Sequence, residues 1–179
     1  MEFNIEFHGP FRIGTGVASR GMDETVDVDQ PLPATALKGL MRASASQLLG
    51  DHPLVAEVYG SSEQASPWSW TSGVVRNPQL RQRARVALDP ITGTAVDHAL
   101  QFSEELWADG ATFSVDQHGF VDPEAVADHA LVLRASAAGV TSLGADRRRG
   151  FGWVSVRSAD APLDRAAADR LGQRRRDIA

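Results

Sequence analysis

Cysteine is absent from this chain, lysine and tyrosine each occur once, and no apolar run approaches the length of a membrane span. Without cysteine, disulfides, thiolate metal sites and cysteine nucleophiles are excluded together. A spanning helix needs about 20 consecutive apolar residues, so no membrane association is expected. Met1-Glu2-Phe3-Asn4 lacks the basic and apolar regions of a secretion signal, and a soluble, cytoplasmic protein is expected. The 179 residues suffice for one domain with a full hydrophobic core and leave little room for a second.

The formal net charge is −5, which by itself disfavours nucleic acid, because phosphate binding is driven by Lys and Arg. The distribution of charge points the other way. Lys38 is the only lysine among 18 basic residues, and the arginines cluster at Arg81-Arg83-Arg85, Arg147-Arg148-Arg149 and Arg174-Arg175-Arg176. A guanidinium pairs with phosphate through a planar fork and stacks on bases, whereas an ammonium is a point charge. A GC-rich source also raises Arg over Lys, but it does not explain clustering.

Phe3, Ile5 and Phe7 alternate with Asn4 and Glu6, the period of a half-buried strand. Phe11-Arg12-Ile13-Gly14-Thr15-Gly16 leads into a polar stretch ending at Gln30, with Asp23, Glu24, Asp27 and Asp29, which predicts a long loop. Pro33 suits the first turn of a helix, and Leu37, Leu40, Met41, Leu48 and Leu49 follow at helical spacing up to Gly50. A short segment from Pro53 to Tyr59 closes at Gly60. Residues 61–72 are polar apart from Trp68 and Trp70, which either stack on bases or form a lid on the core. Gly73-Val74-Val75 starts a short strand. Arg81 to Asp89 alternates, Asp89-Pro90-Ile91-Thr92-Gly93 is turn chemistry, and the chain returns through Ala95 to Phe102, predicting a projecting hairpin. Ala111 to Val115 is another strand. Asp122-Pro123-Glu124 opens a helix that runs to about Ala138. Leu143-Gly144 begins a second glycine loop, Phe151 to Val156 is the last strand, and residues 161–179 form a charged helix or tail.

Strand, helix, strand, hairpin, strand, helix, strand is the split β-α-β order. It predicts an α+β, ferredoxin-like (RRM-like) β-α-β-β-α-β domain with an antiparallel sheet and both helices on one face. The domain spans 1–158, with the hairpin near 75–105 and the tail at 159–179. This fold hosts many functions and does not choose among them.

Three ordered segments carry a resemblance. Pro33-Ala34-Thr35-Ala36-Leu37-Lys38-Gly39-Leu40-Met41-Arg42 is the first. Arg85 to Ala95, with Glu104-Glu105-Leu106-Trp107 and Gly110-Ala111-Thr112-Phe113 downstream, is the second. Leu143-Gly144-Ala145-Asp146-Arg147-Arg148-Arg149-Gly150-Phe151-Gly152-Trp153-Val154 is the third. Together they resemble the RAMP superfamily of CRISPR-associated proteins, nearest to the backbone subunits of type III effector complexes. The resemblance implies several copies polymerised along guide RNA (crRNA), facing target RNA. Beside them it implies a large signalling subunit, small helical subunits and cap subunits. It also implies that the hairpin is a thumb that wedges between nucleotides.

The chemistry of the segments agrees with RNA. A helix start near Ala34 presents N–H groups to phosphate, and Lys38 and Arg42 lie one turn apart on one face. Gly144, Gly150 and Gly152 permit close backbone approach beside the charge of Arg147, Arg148 and Arg149. Arg12, Arg83 and Arg85 complete the candidate RNA contacts. The segments around Lys38 and around Arg147 to Arg149 are expected to converge into one cationic seat. The plain alternative is a solvated face for Lys38 and Arg42 and a tight surface hairpin for the Arg147 to Arg149 loop, and Arg174 to Arg176 has no motif behind it.

Some relatives of this kind cut target RNA with a loop aspartate and Mg²⁺ or Mn²⁺. Asp23, in Met22-Asp23-Glu24-Thr25-Val26, is the matching candidate for catalysis and metal binding. Where the family often has a histidine before the first glycine pair, this chain has Arg12, which suits phosphate better than cleavage. A non-catalytic backbone or cap subunit is the alternative. A metal-free guide-processing ribonuclease would need a histidine base, drawn from His8, His52, His98, His118 and His129. A ferredoxin-like domain unrelated to RNA is the remaining reading.

Overall fold

A computed structural model of the protein describes residues 1–14 and 21–176; the predicted loop positions Thr15 and Gly16 lie outside them. In chain order the elements are β1 (Glu2–Phe7), α1 (Ala34–Leu49), α2 (Pro53–Tyr59), β2 (Trp68–Trp70), β3 (Val74–Arg76), β4 (Gln79–Leu88), β5 (Ala95–Trp107), β6 (Gly110–Gln117), α3 (Val126–Ala138), a 3₁₀ turn (Arg147–Arg149), β7 (Val154–Ser158) and α4 (Arg165–Arg176).

Alternation in β1 buries Phe3 and Ile5 and exposes Glu2, Asn4 and Glu6, so one face of the strand meets the core. β1 pairs antiparallel with β6 on one side, Phe3 opposite Phe113, and with β7 on the other, Ile5 opposite Val156. The far edge of β6 carries both β2 and β3. The sheet order β2/β3-β6-β1-β7 is the ferredoxin-like order. α1, α2 and α3 supply Leu37, Met41, Val58, Val132 and Leu133 to a core shared with Phe3, Ile5, Phe113 and Val156. Each such side chain, fully buried, contributes roughly 1.5–3 kcal/mol of transfer free energy.

α1 forms because Leu37, Met41, Ala45 and Leu49 recur every fourth residue as one buried stripe. It begins after extended Pro33 and ends at Gly50, at φ +64°. The outer face of the sheet's central strands shows Glu2, Asn4, Glu6, Thr112 and Ser114. Acids and hydroxyls there replace the stacking rings with which RRM sheets hold bases, so the likeness to an RRM is one of topology.

β4 and β5 form a separate two-stranded sheet, with a shift of register between Val86 and Leu88. The Asp89 carboxylate accepts the Ile91 and Thr92 N–H groups and builds the turn. β5 is longer than the predicted return and runs on to Trp107, at the start of β6. Trp68 and Trp70 belong to a strand that composition hid. Both are buried, with Trp68 Nε1 donating to His129 Nδ1 and Trp70 stacked on Tyr59, so the lid-like packing describes them and base stacking does not. α3 starts at Val126, four residues past the expected cap, because Asp122 caps a preceding turn. β7 starts at Val154; Phe151 is buried but irregular. In α4, Ala167 is buried and Arg174 pairs with Asp128 of α3 at 2.6 Å, so that part of the C-terminal arginine cluster is structural.

Candidate nucleic-acid interface

The glycine loop between α3 and β7 is held against the segment that follows β1. Ala145 N donates to the Arg12 carbonyl at 2.8 Å and Gly152 N to the Pro10 carbonyl at 2.7 Å. A Cβ on Gly144 would collide with the Arg12 carbonyl, and one on Gly152 with the Leu143 carbonyl; both residues have positive φ. These two glycines are therefore required by close backbone approach, whereas Gly150, also at positive φ, faces open space.

The loop is also tied to the hairpin by charge. Arg12 is 1% exposed and sits 2.5 Å from Glu24 and 2.6 Å from Asp146. Arg85 of β4 reaches the same two oxygens, Glu24 Oε2 and Asp146 Oδ2, at 3.0 Å each. Two guanidiniums and two carboxylates thus alternate in a closed ring of zero net charge. It joins the segment after β1, the loop before α1, the glycine loop and the hairpin. Beside it Arg83 pairs with Glu105 at 2.7 Å and lies over the Phe151 ring. Of the expected RNA contacts, Arg12, Arg83 and Arg85 are committed internally, and Arg12 is covered.

The Arg147 and Arg148 side chains are exposed and make no hydrogen bond or ion pair among the described residues; Arg149 is 70% exposed, its nearest charge Asp146 at 3.8 Å. The 3₁₀ turn, flanked by left-handed Asp146 and Gly150, displays all three side chains outward. Arg149 also lines a groove of about 670 Å³ at the hairpin with Arg85, Val86, Ala87, His98, Ala99 and Gln101. His98 is held there at φ +59°, where the bulge offsets the two strands.

The Lys38 cluster does not join this group. Lys38 lies over the Trp70 ring at 5.2 Å and shares a notch with Thr35, Trp68 and Ser69. Its burial, and secondarily nearby Arg42, lower its pKa from the usual lysine value. Arg147 meets α1 on the other flank, beside Leu40, Ala43 and Gln47. Lys38 and Gln47 are two and a half turns apart at 3.6 residues per turn, hence on opposite sides of the helix. The expected single seat is two basic groups flanking α1. Between the Lys38–Arg42 flank and Arg147 run exposed Thr35, Gly39, Ala43 and Ser46.

Asp23 is exposed on a segment that runs beside β5. Its N–H donates to the Phe102 carbonyl, and its Oδ2 accepts the Phe102 N–H at 2.9 Å. Among the described residues no three His, Asp or Glu side chains are grouped to hold an ion. Mg²⁺ commonly takes one or two carboxylates, water and substrate phosphates. Asp23 fits such an ion only as a lone carboxylate ligand with RNA oxygens completing the shell. His8 hydrogen-bonds Ser155 at 2.8 Å, and buried His129 serves Trp68. Trp153, 60% exposed at the end of the glycine loop, is the accessible tryptophan that composition did not distinguish from the buried ones. Among the described residues no helix is long and apolar enough to cross a membrane.

No curated protein matches the chain. Among solved structures, a chain of type III-B Cmr-beta in its apo state superposes with a TM-score of 0.71 at 11% identity, covering 90% of this chain and 98% of that one. A chain of type III-B Cmr-beta bound to cognate target RNA also gives 0.71, at 12% identity, with 87% and 95% covered. At such identities the likeness is one of fold. The RAMP superfamily sequence model matches residues 4–155, nearly all of the sheet, the hairpin and both glycine-loop anchors, and the chain belongs to that superfamily.

Proposed function

We propose that the protein is a guide-RNA-binding backbone subunit of a CRISPR type III effector complex. In this reading several copies polymerise along crRNA beside large signalling, small helical and cap subunits, and present the β4–β5 hairpin to target RNA. The observation that carries the reading is the exposed Arg147-Arg148-Arg149 turn, displayed on a loop clamped to the hairpin through Asp146 and Arg85. Superfamily membership and fold likeness to Cmr-beta chains, one of them bound to target RNA, support it. The small, exposed ridge of α1 lets a strand pass closely between the Lys38–Arg42 flank and Arg147, and basic grooves are how single strands are commonly held. Arg12, Arg83, Gly144 and Gly150 shape the loop and hairpin for that contact.

Purifying the protein with its operon neighbours and sequencing the bound RNA tests the assignment. Repeat-derived guides at several protein copies per guide are expected. One copy per complex would make it a cap subunit, and absence of guide RNA would end the reading. Cleavage of target RNA is the second activity proposed, because Asp23 stands exposed at the hairpin's edge. With guide, labelled target and magnesium, Asp23→Ala is expected to abolish cutting and retain binding. Unchanged cutting removes Asp23 from the mechanism.

A further inference from the structure

The ion ring that joins the glycine loop to the hairpin contains one member that does not match the others. Arg12 is covered, and Asp146 is 16% exposed and fixed by its left-handed backbone, its carbonyl accepting Arg149 N–H at 2.7 Å. The Glu24 side chain is 44% exposed, the highest of the four. A single oxygen of Glu24 serves both guanidiniums, 2.5 Å from Arg12 Nη1 and 3.0 Å from Arg85 Nη2. The closer approach is a contact of charge without hydrogen-bond geometry: Arg12 Nη1, like Arg85 Nε, is buried with no hydrogen-bond acceptor. A buried donor left unsatisfied is costly. Two guanidiniums side by side therefore hold more donors than one carboxylate oxygen accommodates.

We infer that Arg12 and Arg85 form a phosphate seat that Glu24 occupies when RNA is absent, and that an RNA phosphodiester displaces it. The inference rests on the RNA-binding reading above. The charges balance: with Asp146 fixed, departure of Glu24 leaves one excess positive charge, matched by one phosphodiester. The shape agrees, since two non-bridging oxygens offer acceptors to both arginine forks, the bidentate geometry arginine favours with phosphate. Access agrees as well, because Arg85 lines the hairpin groove together with Arg149. Glu24 leaves with its segment, which is tied to β5 on both sides of Glu24: by the Glu104 N–H to the Glu24 carbonyl and the Val26 N–H to the Glu104 carboxylate, and by the Asp23 N–H to the Phe102 carbonyl and the Phe102 N–H to the Asp23 carboxylate, each at 2.9 Å.

Competition and structural support predict opposite signs, which makes Glu24→Gln decisive. Binding of a fluorescein-labelled, mixed-sequence single-stranded RNA to the whole chain is measured by anisotropy, with thermal melting to establish folding. The variant is expected to bind more tightly, by up to about fivefold, the upper end for a partly exposed ion pair. Equal or weaker binding by a folded variant overturns the inference while leaving RNA binding by the wild type intact. If the wild type binds no RNA, the functional reading itself fails and the seat falls with it. Hydrogen exchange on the wild type decides the matter even if the variant does not fold. Saturating RNA is expected to accelerate exchange of the Val26 and Glu104 amides, and slower or unchanged exchange refutes displacement.

Discussion

The arginines of this chain divide into two populations, and replacing one of each separates them. Changing Arg147, Arg148 and Arg149 together to Gln takes the formal net charge from −5 to −8 and touches side chains that are exposed, with Arg149 only 3.8 Å from a partner. Substitutions at such positions stay within about 0.5 kcal/mol of wild-type stability. On single strands each neutralised phosphate contributes about 0.7 to the slope of log affinity against log salt, so three contacts account for about 2. Arg12→Met is the opposite perturbation. It leaves Glu24 and Asp146 sharing Arg85 alone, and breaking a buried pair costs roughly 3–5 kcal/mol. Glu24 is nearly half solvated, which puts the expected loss at the low end, about 3 kcal/mol. For a chain of this size that lowers Tm by about 6–12 °C. Its salt slope falls by no more than the ~0.7 of one phosphate. Denaturant unfolding and RNA titrations between low and moderate salt measure both quantities on both proteins. The reasoning fails if the triple variant keeps the wild-type slope, or if Arg12→Met melts with the wild type.

Two glycines of the same loop predict unequal costs. Gly150→Ala pays only for a left-handed alanine in open space, about 1–2 kcal/mol. Gly152→Ala adds a collision with the Leu143 carbonyl, so its denaturation midpoint falls further and RNA binding weakens with it. Tyr59, the chain's single tyrosine, is buried and hydrogen-bonded to Ser136. Burial raises its pKa well above the usual value near 10, outweighing the hydroxyl contact. Because the folded pKa exceeds the unfolded one, this contribution to stability is complete below about pH 10 and is lost as pH rises beyond it. Phenolate absorbance is expected to appear only with unfolding; ionisation of the native protein near pH 10 would contradict the packing.

The helix α1, the hairpin turn at Asp89 to Gly93 and the order of elements were legible in the residues, because periodicity and turn chemistry are local. The strand at Trp68 to Trp70 was not, since three residues between polar neighbours carry too little alternation, and only pairing with β6 makes them a strand. The extended course of residues 22–26 was likewise hidden, because it is set by backbone bonds to β5. Arginine clustering singled out both the exposed 147–149 turn and Arg81-Arg83-Arg85, but it carried no sign that Arg83 and Arg85 are ion-paired within the chain.

Sequence alone therefore determined the fold class, the glycine loop before β7 and the presence of a cationic segment, all of which follow from neighbours a few positions apart. Which arginines are free was decided by tertiary structure. Arg12 meets Asp146 across 134 positions and Arg85 meets Glu24 across 61. No local pattern encodes that cancellation of charge; it exists only where the folded chain brings the four side chains within 3 Å of shared oxygens.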